Sequence, residues 1–177
     1  MYEWYRRSKI CYVYLSDVPR GPQHFTRQIL SADVLLNSRW FTRGWTFQEL
    51  LAPKELVFFA ADGSEVGPRE LFTTVIANHC RIPEAVIRGT HRARDYNIQK
   101  VLQWIAQRQT KRQEDAAYCL LGVFGVHIPL IYGEGQKRAF ARLQGQIESR
   151  SFLSNLFRRL AKLIENVEQQ VRIQSCH

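Results

Sequence analysis

Apolar positions along the chain follow two patterns, short near-continuous runs in the first third and helical stripes after it. Ile10–Leu15 (I-C-Y-V-Y-L) is β-branched and aromatic, and its unbroken apolarity predicts a strand buried on both faces, as in a parallel sheet covered by helices. Met1 to Lys9 reads as the last turns of a helix, so the chain is expected to open in mid-helix and to lack an upstream part. Pro19 to Gln23 is loop, extended to Arg39 because Phe25 to Leu36 is only weakly periodic. Gly44–Leu51 has helical spacing and is stopped by Pro53. Glu55–Phe59 predicts a second strand, with an Asp62-Gly63 hairpin turn and a short return strand at Glu65-Val66.

Beyond Gly67-Pro68 the period becomes helical. Leu71, Phe72, Val75 and Ile76 form one apolar face, and Arg81–Arg88 reads as a short helix with Pro83 in its first turn and Gly89 as its stop. Ile98, Val101, Leu102 and Ile105 repeat a stripe behind Asn97 as N-cap. Thr110 and Gln113 resemble a capping box that opens a helix over Lys111–Phe124. Gln136–Glu148 is a further helix, and from Phe152 onward Leu153, Leu156, Leu160 and Ile164 lie on one stripe beside Arg158, Arg159 and Lys162. The expected fold is α/β: a remnant of a parallel sheet with two or three strands, then a mainly helical C-terminal half. Residues 1–148 form one domain, and 149–177 a basic amphipathic helix that packs on a partner or a domain, with a helix lying on a membrane surface as the alternative.

With 45% hydrophobic and 12% aromatic residues among 177, the chain can build a core, which excludes general disorder. No apolar run reaches the ~18–20 residues of a membrane span, and the N-terminus has no secretory signal. Cys11, Cys80, Cys119 and Cys176 are too scattered for a disulfide framework, so the expected compartment is the cytoplasm. The formal charge of +9 is concentrated, with Arg88, Arg92, Arg94, Lys100, Arg108, Lys111 and Arg112 facing one acid, Asp95. Nucleic-acid binding is one reading of this bias. Solvated helix faces explain it without a specific nucleic-acid partner, since no nucleic-acid motif interleaves the charges.

Three clusters could carry chemistry. Ser38–Pro53 holds Trp40, Arg43, Gly44 and Trp45, with Glu49 four residues after Trp45 on the same helical face. A carboxylate against an indole loses hydration and becomes usable in proton or cation chemistry, whereas the plain structural reading puts Trp45 in the core and Glu49 in water. In Arg108–Tyr118, Glu114 and Asp115 fall in a first helical turn, where negative charge suits the macrodipole and Arg108, Lys111 and Arg112 can pair with them. In Leu130–Gly135, Gly133 and Gly135 flank Glu134, which reads as a turn between helices more readily than as a phosphate loop. The five histidines are dispersed, and no metal site is expected.

Four blocks in order, Met1–Val18, Ser38–Pro53, Arg108–Val126 and Ile128–Gln144, resemble the fungal heterokaryon-incompatibility (HET) domain. The resemblance reaches to about Ile147. It departs where the family has a Ser-His-Thr-Trp-Gly-like strand and a Trp-Ile-Asp-x-Cys-Cys-Ile-Asp-like strand, both absent here, and at Phe47, where Leu is frequent. The resemblance implies a role in nonself recognition and programmed cell death, with self-association or protein partners and no required cofactor.

HET domains are distantly similar to Toll/interleukin-receptor (TIR) domains, some of which cleave NAD. The TIR catalytic Glu lies in a Trp-Cys-x-x-Glu-Leu stretch, which Trp45-Thr46-Phe47-Gln48-Glu49-Leu50 matches except for Thr46. By that likeness Glu49 is the candidate catalytic carboxylate and NAD the candidate substrate in an intact relative. Activity of this chain alone is not expected, because the strands whose loops would grip the dinucleotide are missing.

Overall fold

The computed structural model describes residues 1–19, 32–153 and 156. Helix α1 (Tyr2–Arg7) leads into strand β1 (Cys11–Tyr14). A crossover carrying α2 (Ala32–Leu36), a 3-10 turn (Arg39–Thr42) and α3 (Thr46–Leu51) returns the chain to β2 (Leu56–Phe59), which pairs parallel to β1 with Cys11 opposite Leu56 and Tyr14 opposite Phe59. Strand β3 (Glu65–Pro68) runs back antiparallel to β2, giving the sheet order β1-β2-β3. The α/β class and the helical C-terminal half are therefore as expected, and the Asp62-Gly63 turn links β2 to β3, with Gly63 at φ 81°.

The second half is helical. A 3-10 turn (Arg69–Phe72) precedes α4 (Thr73–Cys80) and α5 (Glu84–Ile87), a 3-10 turn (Ala93–Asp95) precedes α6 (Ile98–Ile105), and α7 (Asp115–Tyr118) and α8 (Leu121–Phe124) follow. Residues 136–153 form α9. Asn97 caps α6 as expected, its side-chain oxygen accepting from the Gln99 amide at 2.8 Å. The expected amphipathic tail helix lies outside the described residues beyond 153, apart from the single position 156.

Several expectations are corrected. Strand β1 is buried on one face only: Val13 and Leu15 enter the core, while Tyr12 and Tyr14 are 66% and 59% exposed. The supposed loop up to Arg39 contains α2. Helix α3 starts at Thr46, two residues late, because Gly44 and Trp45 belong to the turn that feeds it. Leu71 points outward, since the 3-10 turn at Arg69–Phe72 rotates it off the face shared by Phe72 and Ile76. The single helix over Lys111–Phe124 is instead two short ones, and the Thr110 hydroxyl donates to the Arg112 carbonyl rather than capping a helix.

The core is aromatic around β2. Phe58, fully buried, stacks edge-on against Trp40 at 5.7 Å and Phe72 at 6.1 Å, and Trp40 meets Phe41 at 4.9 Å. Such pairs add about 0.5–1.5 kcal/mol each beyond their buried area. A cation sits inside this core. Arg69, 1% exposed, donates to the carbonyls of Leu50 (3.0 Å), Pro53 (3.1 Å) and Lys54 (2.9 Å). It thus satisfies carbonyls where α3 ends and the chain bends into β2. Replacing it with methionine fills the space but strands those acceptors, so Arg69→Met should lower unfolding free energy on the order of 3 kcal/mol in a urea titration.

Candidate functional site

The crossover delivers its polar residues to the carboxyl end of β1. Ser38 accepts from the Trp40 amide and donates its hydroxyl to Asp17 at 2.8 Å, which fixes the start of the 3-10 turn beside the strand end. A short parallel bridge then joins the crossover to the helical half: the Gly44 amide donates to the Gln109 carbonyl at 2.8 Å, and the Gln109 amide to the Thr42 carbonyl at 2.6 Å. A Cβ on Gly44 would lie 2.5 Å from Thr110 Cγ2, so only glycine permits so close a seam. Around this seam opens a cleft of about 740 Å³ lined by Tyr14, Asp17, Arg39, Trp40, Arg43, Gly44, Trp45, Lys111 and Asp115, among others. Clefts at the carboxyl ends of strands are the usual ligand position in α/β sheets.

Glu49, partly buried, is not one of the residues that line this cleft. Both of its oxygens are taken: Oε1 accepts from the Tyr5 hydroxyl at 3.0 Å and Oε2 from the Trp40 indole at 3.1 Å. The indole that meets the carboxylate is therefore Trp40, not Trp45. Trp45 precedes the first turn of α3, half-buried at the cleft. Burial, and then the Glu49 carboxylate, push the Tyr5 phenol up to about 12, so Tyr5 stays a donor at neutral pH.

The third expected cluster closes on the second. Gly133 and Gly135, at φ 95° and 80°, turn their amides onto one oxygen of Glu114 at 2.8 and 3.0 Å. Such a nest of amides is an anion cradle, and here the anion is the protein's own. Glu134 accepts from the Tyr118 hydroxyl at 2.7 Å and pairs with Arg142 at 2.6 Å, while Tyr132 donates to Asp115 at 3.2 Å. The turn reading of Leu130–Gly135 holds, and the amides that might have met a phosphate are occupied. The expected pairing with the nearby cations takes another form: Arg112 lies over the Tyr132 ring at 4.1 Å, and Arg108 turns inward.

Arg108 was not singled out as a buried group. Its Nη1 donates to the Arg43 carbonyl and the Thr46 hydroxyl, both at 3.0 Å, its guanidinium lies 5.3 Å from the Phe47 ring, and Nη2 is sealed from water without an acceptor. Burial lowers its pKa, partly opposed by the Cys80 thiol. Tyr5, Tyr118 and Arg142 were also missed; each lies within a stretch whose apolar or basic pattern gave no sign of a buried polar partner. Among the described residues there is no cluster of metal ligands and no helix long and apolar enough to cross a membrane.

Over 147 residues, 83% of its length, the chain is 40% identical to vegetative incompatibility protein HET-E-1 of Podospora anserina. The chain is thus similar to one region of an incompatibility protein. It spans 11% of the length of that protein. No family model and no solved structure matches the chain. The matched length is most of the chain, so it must include residues of both the cleft and the Glu114 cradle.

The cradle gives a pH signature. Hydrogen bonds from its own backbone amide and those of Gly135 and Gly133 hold the Glu114 carboxyl below the ordinary glutamate range. A depressed carboxyl stabilises the fold above its unfolded pKa, about 4.3, and loses that contribution as pH falls through the folded value. The stability difference between the wild type and Glu114→Gln should therefore be constant near neutrality and shrink below about pH 4.3. Thermal melts at stepped pH check this, and a difference that grows on acidification would contradict it.

Proposed function

We propose that this chain acts in vegetative incompatibility as a cytoplasmic cell-death module that works by assembly with itself or with protein partners. The observation that carries this reading is the 40% identity over 147 residues to an incompatibility protein. Assembly is favoured over catalysis by the state of Glu49, whose two oxygens are both engaged by side chains of the protein. Large exposed side chains near the N-terminus, Trp4, Tyr12 and Tyr14, offer surface for contact.

A second reading is cleavage of NAD with Glu49 as the catalytic carboxylate. It is favoured by Trp40, which binds Glu49 and also lines the cleft. Loss of nicotinamide leaves an oxocarbenium-like ribosyl cation that a nearby carboxylate stabilises. For this, Glu49 must first be released from Tyr5 and Trp40, and hydrogen bonds to a charged group are worth about 1.5–3 kcal/mol each.

Inducible expression in a filamentous fungus, with viability and cellular NAD followed together, separates the two. The expected result is equal killing by wild type and Glu49→Gln, with NAD unchanged in both. Loss of killing in a folded Glu49→Gln variant, with NAD falling only in wild type, would assign the function to catalysis. Absence of killing by the wild type would remove the death-module reading altogether.

A further inference from the structure

Basic residues from three separate segments line a second cleft, of about 570 Å³, where α1, the end of α3, the stretch from α5 to the Ala93–Asp95 turn, and α8 come together. Arg6, Lys54, Arg88, Arg92 and Arg94 are among its lining residues, and Glu3 is the one acid that lines it among the described residues. It shares no lining residue with the cleft at the Gly44 seam. The wall that carries Arg6 is seated closely, since a Cβ on Gly122 would lie 2.2 Å from the Cβ of Tyr2 and only glycine lets α1 rest there on α8. Near neighbours meet part of the charge: Arg6 pairs with Glu3 at 2.7 Å, Arg88 with Glu84 at 3.1 Å and Arg92 with Asp95 at 3.3 Å.

Arg94 and Lys54 have no ion pair and no side-chain hydrogen bond among the described residues. Arg94 is also crowded by a like charge. A Cβ on Gly125 would lie 3.2 Å from Arg94 Nη1 and 2.8 Å from Arg150 Nη1, so both guanidiniums reach the same spot. Arg150 is accounted for there, because it donates to the Phe124 carbonyl at 3.1 Å and to that of Gly125, where α8 ends. The rest of the sequence does not redress the balance. Residues 20–31 hold Arg20 and Arg27 and no acid, and residues 154–177 hold Arg158, Arg159, Lys162 and Arg172 against Glu165 and Glu168.

We propose that this cleft binds a compact ligand with clustered phosphates. An excess of cations around a concave site draws an anion, and guanidinium forks match phosphate oxygens in pairs. Exposed ion pairs contribute little one at a time. A ligand with a single phosphate is therefore held weakly, whereas several phosphates on one small body engage several cations together. The pairs of Arg6, Arg88 and Arg92 are exposed, so these side chains turn to such a ligand at small cost. Shape selects for compactness. The volume is that of a small-ligand site, while a nucleic-acid duplex needs a basic stripe along an outer face.

Calorimetric titration of the full chain with inositol hexakisphosphate, tripolyphosphate and orthophosphate tests this. The first two should bind about tenfold more tightly than orthophosphate, or better. Arg94→Gln and Lys54→Gln should each weaken tripolyphosphate binding about threefold, and the double change about tenfold. Arg138→Gln removes the same charge from α9, outside this lining, and should leave the affinity unchanged, whereas a mere net-charge effect would move all the variants alike. Thermal melts of the variants should match the wild type, and Arg94→Lys should recover part of the affinity. Pelleting with phosphatidylcholine vesicles, with and without phosphatidylinositol bisphosphate, tells a lipid headgroup from a soluble ligand as the source, and binding of either kind supports the inference. Failure of every phosphate probe to bind overturns it. So do equal losses in Arg138→Gln and Arg94→Gln, or binding confined to polynucleotides.

Discussion

Parallel strands cannot be joined by a tight turn, so pairing β1 with β2 obliges the chain to leave the sheet at Leu15 and return at Glu55. That crossover must cover a sheet face on its way, and it does so with Trp40, Phe41, Phe47 and Leu50, all buried against Val13, Leu15 and Phe58. The apolar side chains of the 3-10 turn and α3 are thereby committed to the core. The polar groups between them, Arg39 and Arg43, are left at the mouth of the sheet. The cleft is a consequence of the crossover, not an addition to it.

Charges drawn into this core are met by groups far away in sequence. Glu49 is held by a residue of α1, Glu114 by amides of the turn before α9, and Arg69 by carbonyls at the end of α3. Each of these bonds links segments that apolar packing alone would leave free to slide, because a buried charge costs several kcal/mol unless its partners are fixed in place. Arg108 is met by distant groups in part only. It has carbonyl and hydroxyl acceptors on one side and protonated thiols nearby, since burial raises the Cys80 thiol and pushes Cys119 up to about 12.

Legibility in the sequence followed locality. The Asn97 cap, the Asp62-Gly63 turn and the two paired strands were readable because the groups that form them are neighbours in the chain or share one period. The helix read over Lys111–Phe124 was not, because distant groups break it. The Gln48 amide captures the Cys119 carbonyl at 2.6 Å, and the Tyr118 hydroxyl is held by the backbone of Ile131. Neither partner is visible in the helical period. The same holds at Glu49: spacing paired it with Trp45, whereas the 3-10 turn brings Trp40 to it from nine residues back. Strand β1 was misread because tyrosine satisfies an apolar pattern while tolerating water at its hydroxyl end.

The seam at Gly44 and Gln109 gives these pieces a common boundary. On its sheet side lie Trp40 and Trp45; on its helical side, Lys111 and Asp115, the latter bonded to the Tyr132 that neighbours the glycine cradle. A body bound in the cleft therefore touches the crossover and the helical half together. Beneath the seam, Arg108 bonds to both Arg43 and Thr46, so a guanidinium with an unmet donor also fastens the second half to the first. A displacement of the seam would have to disturb Arg108 and the start of α3 at once. The Glu49 carboxylate, on that same short helix and bonded to α1, would feel it next, which couples the cleft to the N-terminal segment carrying β1.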